Sequence, residues 1–184
     1  MANRSYLYAL DLEPQAVKDL SENAYAVPIT HMLLVSDAPE RVDSMLWDCE
    51  HPIAIRGRGE GGYRRCVALL ELLRAQPDLP DREAIEPQLA AALEFLARPE
   101  NSRGYYHLEA GEIFGLGDLP LDTSTRHLLD TIGALAAEVD ALVAARSQAV
   151  LRDAKTWELR ECATQWPMLL GLFFSDVLYF HFER

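Results

Sequence analysis

One stretch limits the folds open to this chain more than any other: residues 51–75, HPIAIRGRGEGGYRRCVALLELLRA. Its apolar run Ile53-Ala54-Ile55 reads as a strand, and beyond it Tyr63, Cys66, Val67, Leu70 and Leu73 recur at helical spacing. Between them Gly57, Gly59, Gly61 and Gly62 predict a loop. Strand, glycine loop and helix in that order put unpaired N–H groups at a helix start, where an anion binds. The loop also matches G-x-G-x-x-G, yet the dinucleotide reading fails further on. Residues 76–80 lead into another helix rather than a strand bearing a ribose-binding acid, and Glu60 lies where a pyrophosphate would sit. No cofactor is expected, and a tight connection needing glycine backbone angles is the plainer account. Arg56, Arg58, Arg64 and Arg65 crowd the same stretch. The ligand-binding candidates are therefore Arg56, Arg58, Gly59, Gly62, Arg64 and Arg65, through bidentate guanidinium bonds to a carboxylate or phosphate. Salt bridging to the chain's own acids is the competing explanation for the arginines.

Around this unit the patterning predicts a helix-rich chain. Residues 5–10, SYLYAL, read as a first strand buried on both faces. Pro14 fits a first helical position, with Ala16, Val17 and Leu20 as a short stripe. Residues 28–35 are ambiguous, and Pro28 tips them towards helix. Asp37 reads as the cap of a helix burying Val42, Leu46 and Trp47. Pro77 and Pro80 mark a turn before a helix carrying Ile85, Leu89, Leu93 and Leu96, whose start Pro87 limits. Residues 105–109, YYHLE, form a candidate strand. Asp122, Thr123 or Ser124 then caps a long helix, free of breakers between Gly133 and Pro167, with a break or kink expected near Arg152. Trp157, Leu159 and Cys162 belong to a further helical segment, and residues 168–174 and 177–182 read as a hairpin about Ser175-Asp176. The fold class is α+β: a helix-rich single domain over residues 1–184, with a small, mostly antiparallel sheet and one long helix in the C-terminal half. That sheet is expected to combine the first strand, residues 53–55 and the C-terminal hairpin.

Composition narrows the function classes. At 49% hydrophobic and 25% charged over 184 residues, the chain has ample material for a core. A net charge of −12 disfavours nucleic acid, which needs a basic surface to release counterions, and anionic membranes likewise. It suits a more basic protein partner. Cys49, Cys66 and Cys162 are odd in number and widely spaced, which fits reduced thiols and a cytoplasmic setting. The apolar run over residues 167–182 is too short for a membrane span.

Other constellations are weaker. Asp48-Cys49-Glu50-His51, with His107 and Glu109, gathers metal-ligating side chains, but consecutive residues diverge and no paired ligand motif supports a metal. Cys49 or Cys66 with His31, His51 or His107 would make a nucleophile pair only if the fold joined them, and Cys66 sits on an apolar stripe. No residue is nominated as catalytic. Leu128, Ile132, Leu135, Val139 and Leu142 step by four and three, a seam that serves either a homodimer or the chain's own core.

The opening MANRSYLY, the run Pro-Ile-Ala-Ile-Arg-Gly with its later Gly61-Gly62, and the closing Leu-Gly-Leu-Phe-Phe resemble a family of uncharacterised bacterial proteins built on a domain of unknown function. The resemblance implies a bacterial cytoplasmic setting and brings no activity or site residues. The expected function is an acidic protein-interaction module, a scaffold or neutralising partner of a more basic protein. The alternative is a small-molecule anion binder or enzyme using the Arg/Gly-rich residues 56–65.

Overall fold

The computed structural model describes residues 3–76, 79, 81–145 and 169–180. Five strands, β1 (Arg4–Leu12), β2 (Gln15–Ala24), β3 (Glu40–Val42), β4 (Ala54–Arg58) and β5 (Tyr105–Glu109), form one sheet in the order β2-β1-β5-β4-β3. Every neighbouring pair is antiparallel. Five helices accompany it among the described residues: α1 (Ile29–Leu34), α2 (Gly59–Arg74), α3 (Arg82–Leu96), the single turn α4 (Gly111–Phe114) and α5 (Leu121–Ala145). The α+β class stands, with the long helix in the C-terminal half and the sheet wholly antiparallel. None of these helices is long and apolar enough to cross a membrane.

The sheet's two faces differ. Leu7, Ala9, Ile55, Tyr106 and Leu108 alternate onto one face and join Leu33, Leu34, Cys66, Leu70, Leu89, Leu96 and Ile132 in the main core beneath α1, α2, α3 and α5. Among the described residues, the opposite face is covered only in part. Tyr6 and Tyr8 pack there with Leu178, Trp47 and Phe180, the Tyr6 and Phe180 rings meeting edge to face at 5.4 Å.

Several expectations are corrected. Residues 57–62 are not a loop: β4 runs to Arg58 and α2 begins at Gly59. The glycines are there for close approach. A β-carbon on Gly57 would overlap the carbonyl oxygen of Val35, and one on Gly62 that of Leu34. They let the end of α1 press against β4 and α2 backbone to backbone. The helix expected from Pro14 is strand β2; Pro14 sits in the turn after β1, and Leu20 is the extra residue of a bulge opposite Leu7 and Tyr8. Both Leu20 and Ser21 thereby become buried, which breaks the alternation a strand would otherwise show. The helix expected after Asp37 is instead β3 and an irregular stretch, because Ser44 Oγ accepts from the N–H groups of Leu46 and Trp47 and holds them in a turn. Pro87 lies within α3, which starts before it at Arg82. The long helix starts one residue ahead of the expected caps, with Ser124 N–H donating to the Pro120 carbonyl.

The C-terminal hairpin is also corrected: residues 169–180 contain no strand and add nothing to the sheet. They run as a strap instead. Leu170 and Leu172 enter the main core, Ser175 N–H donates to the Leu20 carbonyl at 2.8 Å, and Leu178 reaches the opposite face. The apolar residues here divide between two cores rather than two faces of a strand. The turn at Pro77 and Pro80, the break near Arg152, the segment with Trp157, Leu159 and Cys162, and residues 168 and 181–182 of the hairpin lie outside the described residues.

The seam on α5 serves the chain's own core: Ile132, Val139 and Leu142 are buried, and the partly buried Leu128 and Leu135 pack against the main core.

Candidate functional site

The half-covered face of the sheet holds a cleft of about 450 Å³. Leu10, Leu12 and Val17 from the β1–β2 hairpin form one wall, and Arg41, Asp43 and Met45 form the other. Arg56 and His107 lie between them, at paired positions of β4 and β5. The register places them in a polar row across all five strands, Asp19, Tyr8, His107, Arg56 and Glu40. Alternation turns every second residue of each strand to this face, so the row is a direct product of the pairing.

His107 and Glu109 stand two residues apart on β5 and share that face. His107 Nε2 lies 2.8 Å from Glu109 Oε1, and the Glu109 side chain is fully buried. Its carboxylate also accepts from Ser44 Oγ at 2.8 Å and from the Met45 N–H at 2.6 Å. Those bonds fasten the β3–β4 connection, one wall of the cleft, to the strand carrying His107. A buried carboxylate needs such partners, since an unpaired charge away from water is costly. Tyr8 borders His107 on the β1 side, where burial pushes its phenol well above the usual range, and its Oη donates to the Phe180 carbonyl at 2.9 Å.

Of the six residues nominated from sequence, only Arg56 reaches this cleft. Its Nε and Nη2 donate to Glu40 Oε1 at 3.1 and 2.7 Å, and its guanidinium lies 5.3 Å from the Tyr105 ring centre. Arg65 points to α5, gripping Asp140 through Nε and Nη2 at 2.7 and 2.9 Å while Nη1 donates to Ser36 Oγ. That hydrogen-bonded pairing raises the Arg65 guanidinium pKa and lowers that of the Asp140 carboxyl. Arg58 and Arg64 are exposed. Gly59 packs under the Arg103 carbonyl, and its N–H donates to the Gly104 carbonyl at 2.9 Å. Asp37 places its carboxylate over Gly61, at the start of α2. The chain's own acid thus lies beside the start of α2, and the four arginines fan out instead of converging on it.

The remaining nominations separate too. His31 is fully buried, its Nε2 2.9 Å from Ser21 Oγ, and burial drops its pKa to about 3. Cys66 is buried in the main core, and burial pushes its thiol up to about 12, so it is no nucleophile. Asp48, Glu50 and His51 are exposed on the β3–β4 connection, while Cys49 and His51 line a second recess beside the start of α5. Among the described residues no group of three or more His, Cys, Asp or Glu side chains is placed to hold a metal ion. Sequence reasoning had paired His107 with Glu109 only as possible ligands to a metal. The i, i+2 spacing in a strand was the signal for a shared face, but Arg56 as their neighbour depended on the register.

The family model described as Domain of unknown function (DUF7822) matches residues 9–149, which include His107, Glu109 and Arg56. No curated protein and no solved structure matches the chain.

Proposed function

The chain belongs to the DUF7822 family, a domain of unknown function, and we propose that it binds a small polar molecule in the cleft over Arg56 and His107. The observation that carries this reading is the buried Glu109 carboxylate holding His107 at the cleft floor, beside a guanidinium. Ligand pockets set a few convergent polar groups among apolar walls, and the volume lies within the range of about 300–1,000 Å³ usual for them. The apolar walls supply area, and the polar floor supplies orientation. Free thiols at Cys49 and Cys66 support a reducing, cytoplasmic setting.

The test is a thermal-shift panel of carboxylic acids, phosphates, nucleotides and amino acids on the full chain. A ligand at a hundred times its Kd stabilises the folded state by about 2.7 kcal/mol, a shift of several degrees. Arg56→Ala and His107→Ala should abolish the response. Silence across the panel, or a response untouched by both substitutions, would sink the reading.

A second reading, an acidic interaction module for a more basic protein, is favoured by exposed Leu116, Leu119 and Leu121 before and at the start of α5, on a chain of net charge −12. Capture of a basic partner that weakens as salt rises and is lost in Leu119→Ser would support it. Capture indifferent to both would count against it.

A further inference from the structure

We infer that the cleft takes a small carboxylic acid and that His107 exchanges a proton with it, an inference resting on the cleft being a ligand site at all. The tautomer follows from the hydrogen bond. A carboxylate has no proton to donate, so the hydrogen between Glu109 Oε1 and His107 Nε2, 2.8 Å apart, belongs to the ring. In the neutral imidazole the lone pair then sits on Nδ1, which has no hydrogen-bond partner among the described residues, on a ring that lines the cleft. Glu109 is in turn held by Ser44 and Met45, which makes it a positioning residue that fixes the ring and compensates an imidazolium.

Arg56 supplies the acid's anchor. Its guanidinium already grips a carboxylate, that of Glu40, through two donors to one oxygen. The Glu40 side chain is 56% exposed on the edge strand, and such exposed pairs contribute little, so a ligand carboxylate can take its place. Arg56 stands across the β4–β5 pair from His107, which sets the ligand's carboxylate beside the base. The transfer is simple: an O–H or C–H bond next to the carboxylate breaks, its proton goes to Nδ1, and its electron pair stays on the ligand. The reverse step returns the proton, and no other reactant is needed. The other ionisable groups around the ring are Tyr8 on β1, Tyr105 on its own strand, and Arg41, Asp11 and Asp43 on the walls.

Bromoacetate tests this on the full chain, because it carries the carboxylate and reacts with an imidazole lone pair. Nδ1 attacks the methylene carbon, the carbon–bromine bond breaks, bromide leaves, and the alkylated ring keeps its Nε2 hydrogen against Glu109. Peptide mass spectrometry should show His107 alkylated about tenfold faster by bromoacetate than by the uncharged bromoacetamide, with no such preference at exposed His51. Arg56→Gln should bring the ratio near one, and Arg56→Lys should restore part of it. Nitrogen NMR of the His107 ring should find the hydrogen on Nε2, independently of any variant's folding. An unreactive His107, equal rates with the two reagents, or a preference that survives Arg56→Gln would overturn the inference. If the thermal-shift panel still yields a ligand lost on Arg56→Ala, only this inference falls; if neither experiment responds, the cleft reading falls with it.

Discussion

His31 shows how a single residue can bind the chain together and fix its response to acid. It sits between Ser5 on β1 and Ser21 on β2, and Ser21 Oγ donates onward to the Phe173 carbonyl at 2.6 Å. Three separate segments thus meet at one neutral ring. Burial lowers its pKa to about 3, whereas an unfolded histidine titrates near its usual 6.5. Between those values the unfolded chain binds the extra proton, so this stabilisation is complete above pH 6.5 and is lost as the pH falls. The loss should be about 1.4 kcal/mol per unit below 6.5. Urea midpoints at pH 7, 6 and 5 should fall accordingly, and flat midpoints would contradict the buried neutral ring. Asp11, held low by the Gly104 N–H and Arg103, and Asp122, held low by Arg41 and Arg126, act in the same direction but only below the ordinary carboxylate range. His31 therefore dominates the milder window. From sequence, His31 reads as a member of an ambiguous segment and a possible partner for a cysteine; its serine partners come from strands β1 and β2 and are not legible there.

At the scale of elements, the glycines between β4 and α2 carry the clearest test. Gly62 lies within α2 yet touches the backbone of α1, so Gly62→Ala should cost about 3 kcal/mol despite alanine's better helix propensity. Gly133, in α5, has nothing within 4 Å of an added methyl, so Gly133→Ala should stabilise by about 0.5–1 kcal/mol. Chemical denaturation of the pair separates packing from propensity; equal effects would refute the close approach. The same stretch shows what periodicity can and cannot reveal. Leu70 and Leu73 announced α2, as Leu89 and Leu96 announced α3 and Ile132 and Val139 announced α5, because long helices bury a repeating stripe. Strand β2 escaped because a bulge at Leu20 spoils its alternation, and β3 because three residues hold no period.

Over the whole molecule, the candidate site was legible only in pieces. Arg56 stands out in the sequence for anion binding and His107 with Glu109 for a metal, since only the pairing of β4 with β5 makes neighbours of Arg56 and His107. The glycine-rich motif points instead to the start of α2, beside which Asp37 lies. The strap has a consequence for how this protein is made. Tyr8 Oη reaches the Phe180 carbonyl 172 residues away, and Leu178 and Phe180 cover Tyr6 and Tyr8. A chain emerging from the ribosome must therefore hold these two tyrosines uncovered until residue 180 has cleared the exit tunnel. Because so distant a closure is slow, covering this face falls late in folding, after the nearer strand pairings have formed.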